Sequence, residues 1–158
     1  MYTTECERLF SKPVPLLPGV ERLIRHFHDH KIPIAIATSS KRTNFDLKAQ
    51  FHKDFFALFD HILVSPEEPE IVHGKPDPKV FQLCAERFAP PPASPKNVLI
   101  FEDSVSGVRG AAAAGMHCVW VPDSRVSSVS GFEDCQPTVR LNSMLDFRPE
   151  LFGLPAFN

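Results

Sequence analysis

No block of like charge interrupts this sequence: 17 Lys and Arg stand against 19 Asp and Glu, a formal net charge of -2. Nucleic acids and anionic membrane surfaces both select a basic face, so neither is an expected partner. No apolar run approaches the roughly 20 residues of a membrane-crossing helix, and no basic-then-apolar leader opens the chain. Cys6, Cys84, Cys118 and Cys135 contain no C-x-x-C spacing. The expectation is a cytoplasmic protein with reduced thiols, Cys84 and Cys118 serving as small core residues. There is no internal repeat and no clear linker, which leaves one domain at this length. His26, His28 and His30 look like a metal cluster only in the linear sequence, because alternate residues on a helix spread around its axis.

What is present is an alternation of two periods. Val20, Leu23, Ile24 and Phe27 recur at helical spacing and predict a helix over residues 19–31. Residues 32–37 form a short, β-branched run that is apolar on both faces, as in a buried parallel strand, with Pro33 tolerated near its start. Helical pieces are expected at 41–52 and 53–59, a strand at 61–64, and a helix over 78–88 with Asp77 as its cap. The prolines 90, 91, 92 and 95 make a stiff connector to an apolar strand at 98–101. A helix over 104–114 should end at Gly115 in a left-handed cap. Strand 119–121, a polar loop over 122–137 and a short strand at 139–141 complete the pattern. Strand-helix alternation at this spacing argues for an α/β sheet with right-handed crossovers.

In open parallel sheets, ligands bind beyond the carboxyl ends of the strands. Thr38, Ser39 and Ser40 follow one strand there, and Glu102 and Asp103 follow another. Between them Lys75 sits in the stiff loop Gly74-Lys75-Pro76-Asp77-Pro78. Most have an ordinary explanation alone: Thr38-Ser39-Ser40 and Asp77 as helix caps, and Lys75 as a solvated lysine. The acidic pair is the least ordinary, since adjacent carboxylates at a buried sheet end repel and are costly to desolvate, and a divalent cation relieves both. Together a hydroxyl with backbone N–H groups, a lysine and a carboxylate-held Mg²⁺ supply what a phosphate monoester needs: charge neutralised and phosphorus positioned.

The ordered segments 35–40, 73–78 and 99–104 resemble the second, third and fourth motifs of the haloacid dehalogenase superfamily, and residues 107–122 are also similar to it. Segments 87–93 and 149–155 resemble one subgroup, phosphatases of small nucleotide-like monoesters. The resemblance implies a doubly wound, Rossmann-like parallel sheet and a Mg²⁺-dependent phosphatase acting on a small phosphorylated metabolite. Thr38 and the N–H of Ser39 would then hold phosphoryl oxygens. Lys75 would hold phosphate and nucleophile together, and Asp103 would bind Mg²⁺ with Glu102 beside it.

One part of that pattern is missing. The family's first motif is Asp-x-Asp at the end of the first, central strand; its first aspartate is the nucleophile and its second the general acid and base. No Asp-x-Asp occurs anywhere in the chain. Residues 1–17 are therefore expected to be the remnant of a cap region, and 18–158 a truncated core lacking that strand. Without it the strands ending at Thr38 and Asp103 would expose inner edges; the chain should fold poorly or pair those two strands directly. The expected function is part of a phosphatase without its own nucleophile. The alternatives are a non-catalytic remnant that binds phosphate or a protein partner, and a fragment of a sugar-phosphate mutase.

Overall fold

The computed structural model describes residues 8–123, 125 and 135–157. The first full helix is α1 (Val20–Asp29), which buries Leu23 and Phe27 and pairs Arg25 with Glu21 on its outer face at 2.8 Å. The chain then reverses at Lys31, whose φ is +58°. β1 (Ala35–Thr38) begins later than the apolar run, for a local reason. Pro33 has no N–H to give a ladder, and the Asp60 side chain intrudes: the Ile34 N–H donates to Asp60 Oδ2 at 2.8 Å, while the Asp60 N–H donates to the Ile34 carbonyl at 2.9 Å. At its other end the strand runs one residue further than expected, to Thr38, which lies opposite Val64.

α2 (Arg42–Ala49) and α3 (Lys53–Phe56) come next, then β2 (His61–Val64), parallel to β1 with Ala35 opposite His61 and Thr38 opposite Val64. α4 (Lys79–Glu86) begins one residue later and ends two residues sooner than expected: Pro78 takes the cap position, and Asp77 Oδ1 accepts the Lys79 N–H at 2.8 Å. β3 (Leu99–Glu102) ends on the first acid of the pair. α5 (Val105–Ala113) is capped by the Ser104 hydroxyl, which accepts the Gly107 N–H at 3.1 Å. Gly115 takes a φ of +72°, the left-handed stop its position predicted. β4 (His117–Trp120) starts two residues ahead of the expected strand, and β5 (Val139–Arg140) pairs with it in parallel. The expected loop at 122–137 falls largely outside the described residues.

Among the described residues all three strand pairings are parallel, but they form two sheets, β1-β2 and β3-β4-β5. Helices cover both faces. Phe81 and Ala85 of α4 and Val108 and Ala111 of α5 bury Ile100, Cys118 and Trp120 on one face. On the other, Leu23 and Phe27 of α1, with Met144 and Phe147, cover Val119, Leu99 and Phe101. This is the expected α/β doubly wound arrangement, and the direct pairing of β1 with β3 does not occur in it. Face packing holds the halves instead. α4 also packs Val80, Leu83 and Cys84 against Leu63, Ala35 and Ala37, while α1 shares its cluster with Ile34 ahead of β1. Both helices straddle the division between the sheets.

Candidate active site

The carboxyl ends of β1 and β3 meet through one side chain. Lys75, in the loop before α4, places Nζ 3.2 Å from the Ala37 carbonyl and 2.5 Å from Glu102 Oε1. The first partner lies in β1 and the second ends β3, so the ammonium ties the two sheets at one rim. The pair is well enclosed, with side chains 14% and 7% exposed. Nζ also lies 4.7 Å from the centre of the Phe81 ring, a face that favours a cation. Two of the three ammonium protons thus have oxygen acceptors.

Glu102 is held from three sides. Its second oxygen accepts from the Ser104 hydroxyl at 3.1 Å, and that hydroxyl also caps α5. Across from it stands Gly107, where an added Cβ would lie 2.0 Å from the Glu102 carboxyl carbon. Only a residue without a side chain lets the first turn of α5 approach so closely. Asp103 differs: it is exposed, just beyond the strand. On the β1 side, Thr38 is half-buried and its Oγ1 accepts the Ser40 N–H at 3.1 Å, tightening the turn, while Ser39 is exposed at the rim.

The predicted residues therefore gather unevenly. Lys75 and Glu102 touch; Thr38 adjoins the carbonyl that Lys75 holds; Asp103 adjoins the carboxylate that Lys75 holds. The Lys75–Glu102 pair has no signature in the sequence, since 27 residues separate its members and each points to a different ligand there. Of the residues that support the acidic pair, Ser104 is legible in the sequence only as the start of a helix, whereas Gly107 and Trp120 escape it; the chain's single tryptophan is the available signal.

Among the described residues, no three His, Cys, Asp or Glu side chains form a group that could hold a metal ion. Mg²⁺ asks less, being commonly bound by one or two carboxylates with water and phosphate oxygens completing six positions. The Glu102-Asp103 pair fits that partial role, with Asp103 the carboxylate open to it. His26, His28 and His30 do not form a site: their rings bond to the carbonyls of Pro155, Leu58 and His26 respectively. A cavity of about 610 Å³ lies elsewhere, between the N-terminal segment, α1 and α3, and none of the predicted residues lines it. Burial pushes the Cys84 thiol up to about 11 and the Cys118 thiol up to about 12, so both stay protonated and unreactive at neutral pH. Among the described residues no helix is long and apolar enough to cross a membrane.

Both the sequence and the fold match known proteins. A sequence model of haloacid dehalogenase-like hydrolases matches residues 4–115. A probable pseudouridine-5′-phosphatase of Drosophila melanogaster is 46% identical over 94% of this chain and 63% of its own length. A mitochondrial (DL)-glycerol-3-phosphatase 1 of Arabidopsis thaliana is 45% identical over 90% of this chain and 46% of its own. The chain thus spans about half to two thirds of the length of these relatives. Among solved structures, CbbY from Rhodobacter sphaeroides in complex with phosphate superposes with a TM-score of 0.74 at 22% identity, over 92% of this chain and 63% of that one.

Proposed function

The chain belongs to the haloacid dehalogenase-like hydrolase family, and from that premise we propose that it is the phosphate- and Mg²⁺-holding part of a phosphatase for small phosphate monoesters. The observation that carries this reading is the Lys75 bridge: one ammonium joins the Thr38 end of β1 to the acidic end of β3. A phosphoryl group seated at that rim meets a cation already fixed in position, so little reorganisation is needed on binding. Thr38 Oγ1 and the Ser39 N–H serve the phosphoryl oxygens, and Lys75 offers its remaining donor. Asp103 holds Mg²⁺, with Glu102 close to the ion or its waters and orienting Lys75. When bound, the ion neutralises phosphoryl charge.

The proposed substrate class is the chemistry that the two phosphatase relatives share, a small phosphate monoester; a nucleotide-like one such as pseudouridine 5′-phosphate is the first to try. A small phosphorylated metabolite is then the partner. In the same reading, residues 18–158 are core and residues 1–17 the end of a cap region. Gln50 and His52 hold the carbonyls of Phe10 and Val14, seating that segment on the core. Among the described residues Cys84, Cys118 and Cys135 are unpaired thiols, the first two deep in the core, which suits a reducing compartment such as the cytoplasm.

The sequence contains no Asp-x-Asp, and no described side chain at the rim stands as its replacement, so this chain binds phosphate without cleaving an ester. Calorimetric titration with inorganic phosphate and Mg²⁺ should show saturable binding that Thr38→Val and Lys75→Met abolish at temperatures where both variants are folded. The same preparation should release no p-nitrophenol from p-nitrophenyl phosphate. Absent binding, or steady Mg²⁺-dependent release by a clean preparation, would contradict the proposal.

A further inference from the structure

Trp120 is the last residue of β4 and only 2% exposed. Its register partner across the ladder is Glu102, and the ladder itself closes one residue later, where the Val121 N–H donates to the Glu102 carbonyl at 2.8 Å. The next carbonyl along, that of Asp103, has left the strand and precedes the cap of α5. The Trp120 indole reaches across and donates Nε1–H to it at 2.9 Å. The Arg140 guanidinium lies over the same ring, 4.9 Å from its centre.

Two donors from one strand end thus pin two successive carbonyls of the acidic pair. Asp103 lies between that clamp and the Ser104 cap, so its φ and ψ are bounded on both sides while its side chain remains exposed. A short carboxylate on a fixed backbone has two torsions left, which narrows the volume its oxygens can sample.

We propose that Trp120 is a positioning residue: its indole N–H fixes the Asp103 backbone so that the exposed carboxylate is preset to receive a divalent cation. The proposal rests on the reading of Asp103 as the Mg²⁺ contact. Outer hydrogen bonds that orient a ligand group typically carry about 10- to 100-fold in metal affinity, and this one acts through the ligand's own carbonyl.

Mn²⁺ is the probe, its free concentration counted by electron paramagnetic resonance in titrations of the whole 158-residue chain. The intact chain should bind Mn²⁺, and Asp103→Asn should abolish that binding. Trp120→Phe removes the donor, and the folded protein should bind about tenfold more weakly. Because Trp120 is the single tryptophan, biosynthetic replacement by benzothienylalanine exchanges N–H for sulfur within the same ring outline; it should weaken binding by the same factor even if the phenylalanine variant fails to fold. A role in packing alone would lower the melting midpoint and leave the affinity of the folded isostere unchanged, and that result overturns the proposal while Asp103 keeps its place. Binding that ignores Asp103→Asn, or no binding by the intact chain, overturns both readings.

Discussion

The two sheets of this molecule are built from similar apolar strands yet are secured differently. β4 is paired on both edges, and Cys118, Val119 and Trp120 are fully buried. β1 is paired on one edge, and all four of its residues are only half-buried. A parallel strand that is apolar on both faces normally lies inside a sheet. β1 has that composition without that enclosure; so, on its side away from β4, does β3. Where a ladder is missing, α1, α4 and the Lys75 ammonium join the halves. The site therefore sits on the weakest seam of the fold, and its integrity depends on face packing and one ion pair.

Breaking that pair is the strongest test of the contrast. Lys75→Met leaves the Glu102 carboxylate, 7% exposed, without its cation. Removing one partner of a buried pair costs about 3–5 kcal/mol, measurable by urea unfolding. Probes placed on the two sheets should also cease to melt together. Gly107→Ala attacks the same pair from the other side. The new Cβ must displace the Glu102 carboxylate, and overpacking of this kind costs about 1–3 kcal/mol. In a double-mutant cycle with Lys75→Met its effect should be far from additive, because both act through Glu102.

A milder pair of substitutions compares the strands themselves. Ile100→Val in β3, at an 8% exposed position, should cost about 0.5–1.5 kcal/mol. Ile36→Val in half-buried β1 should fall below that range; equal costs would mean that β1 is enclosed as well as β3.

The smallest effect at neutral pH comes from the thiols, one in each half: Cys84 on α4 against β1-β2, and Cys118 within β4. Burial raises Cys84 from 9.0 to about 11 and Cys118 from 9.0 to about 12. In the unfolded chain these thiols ionise near 9, whereas in the native chain they hold their protons. Their contribution to stability is thus fully present below about pH 9 and is lost as pH rises from 9 through 11 and 12. Cys84→Ala and Cys118→Ala should each flatten that alkaline decline. With Cys6 and Cys135 changed to serine, mild urea should expose Cys84 to thiol reagents before Cys118. The reverse order would invert the comparison.

Much of the fold was legible because its strands are short, apolar and bounded by strong signals. Gly115, Ser104 and Asp77 all cap or stop helices as their chemistry requires. Boundaries moved where a side chain intervened, as Asp60 does beside Ile34. The rim residues were also legible, Thr38, Ser39, Glu102 and Asp103 as the polar residues at the carboxyl ends of apolar runs and Lys75 as the lysine of the stiff loop between them. Their partnership was not: Lys75 and Glu102 meet only because α4 lies across two sheets, a tertiary fact with no local pattern. Gly107 and Trp120 escape notice for the same reason, since their importance lies in what they approach across the fold.

The phosphate site proposed for this rim requires that both sheets contribute to one anion cradle. Amide chemical shifts report this directly when inorganic phosphate is titrated into the Mg²⁺-equilibrated chain. The amides of Thr38, Ser39, Lys75, Asp103 and Ser104 should move together along one saturating curve. Shifts confined to a single sheet, or displaced to residues away from this rim, would contradict it.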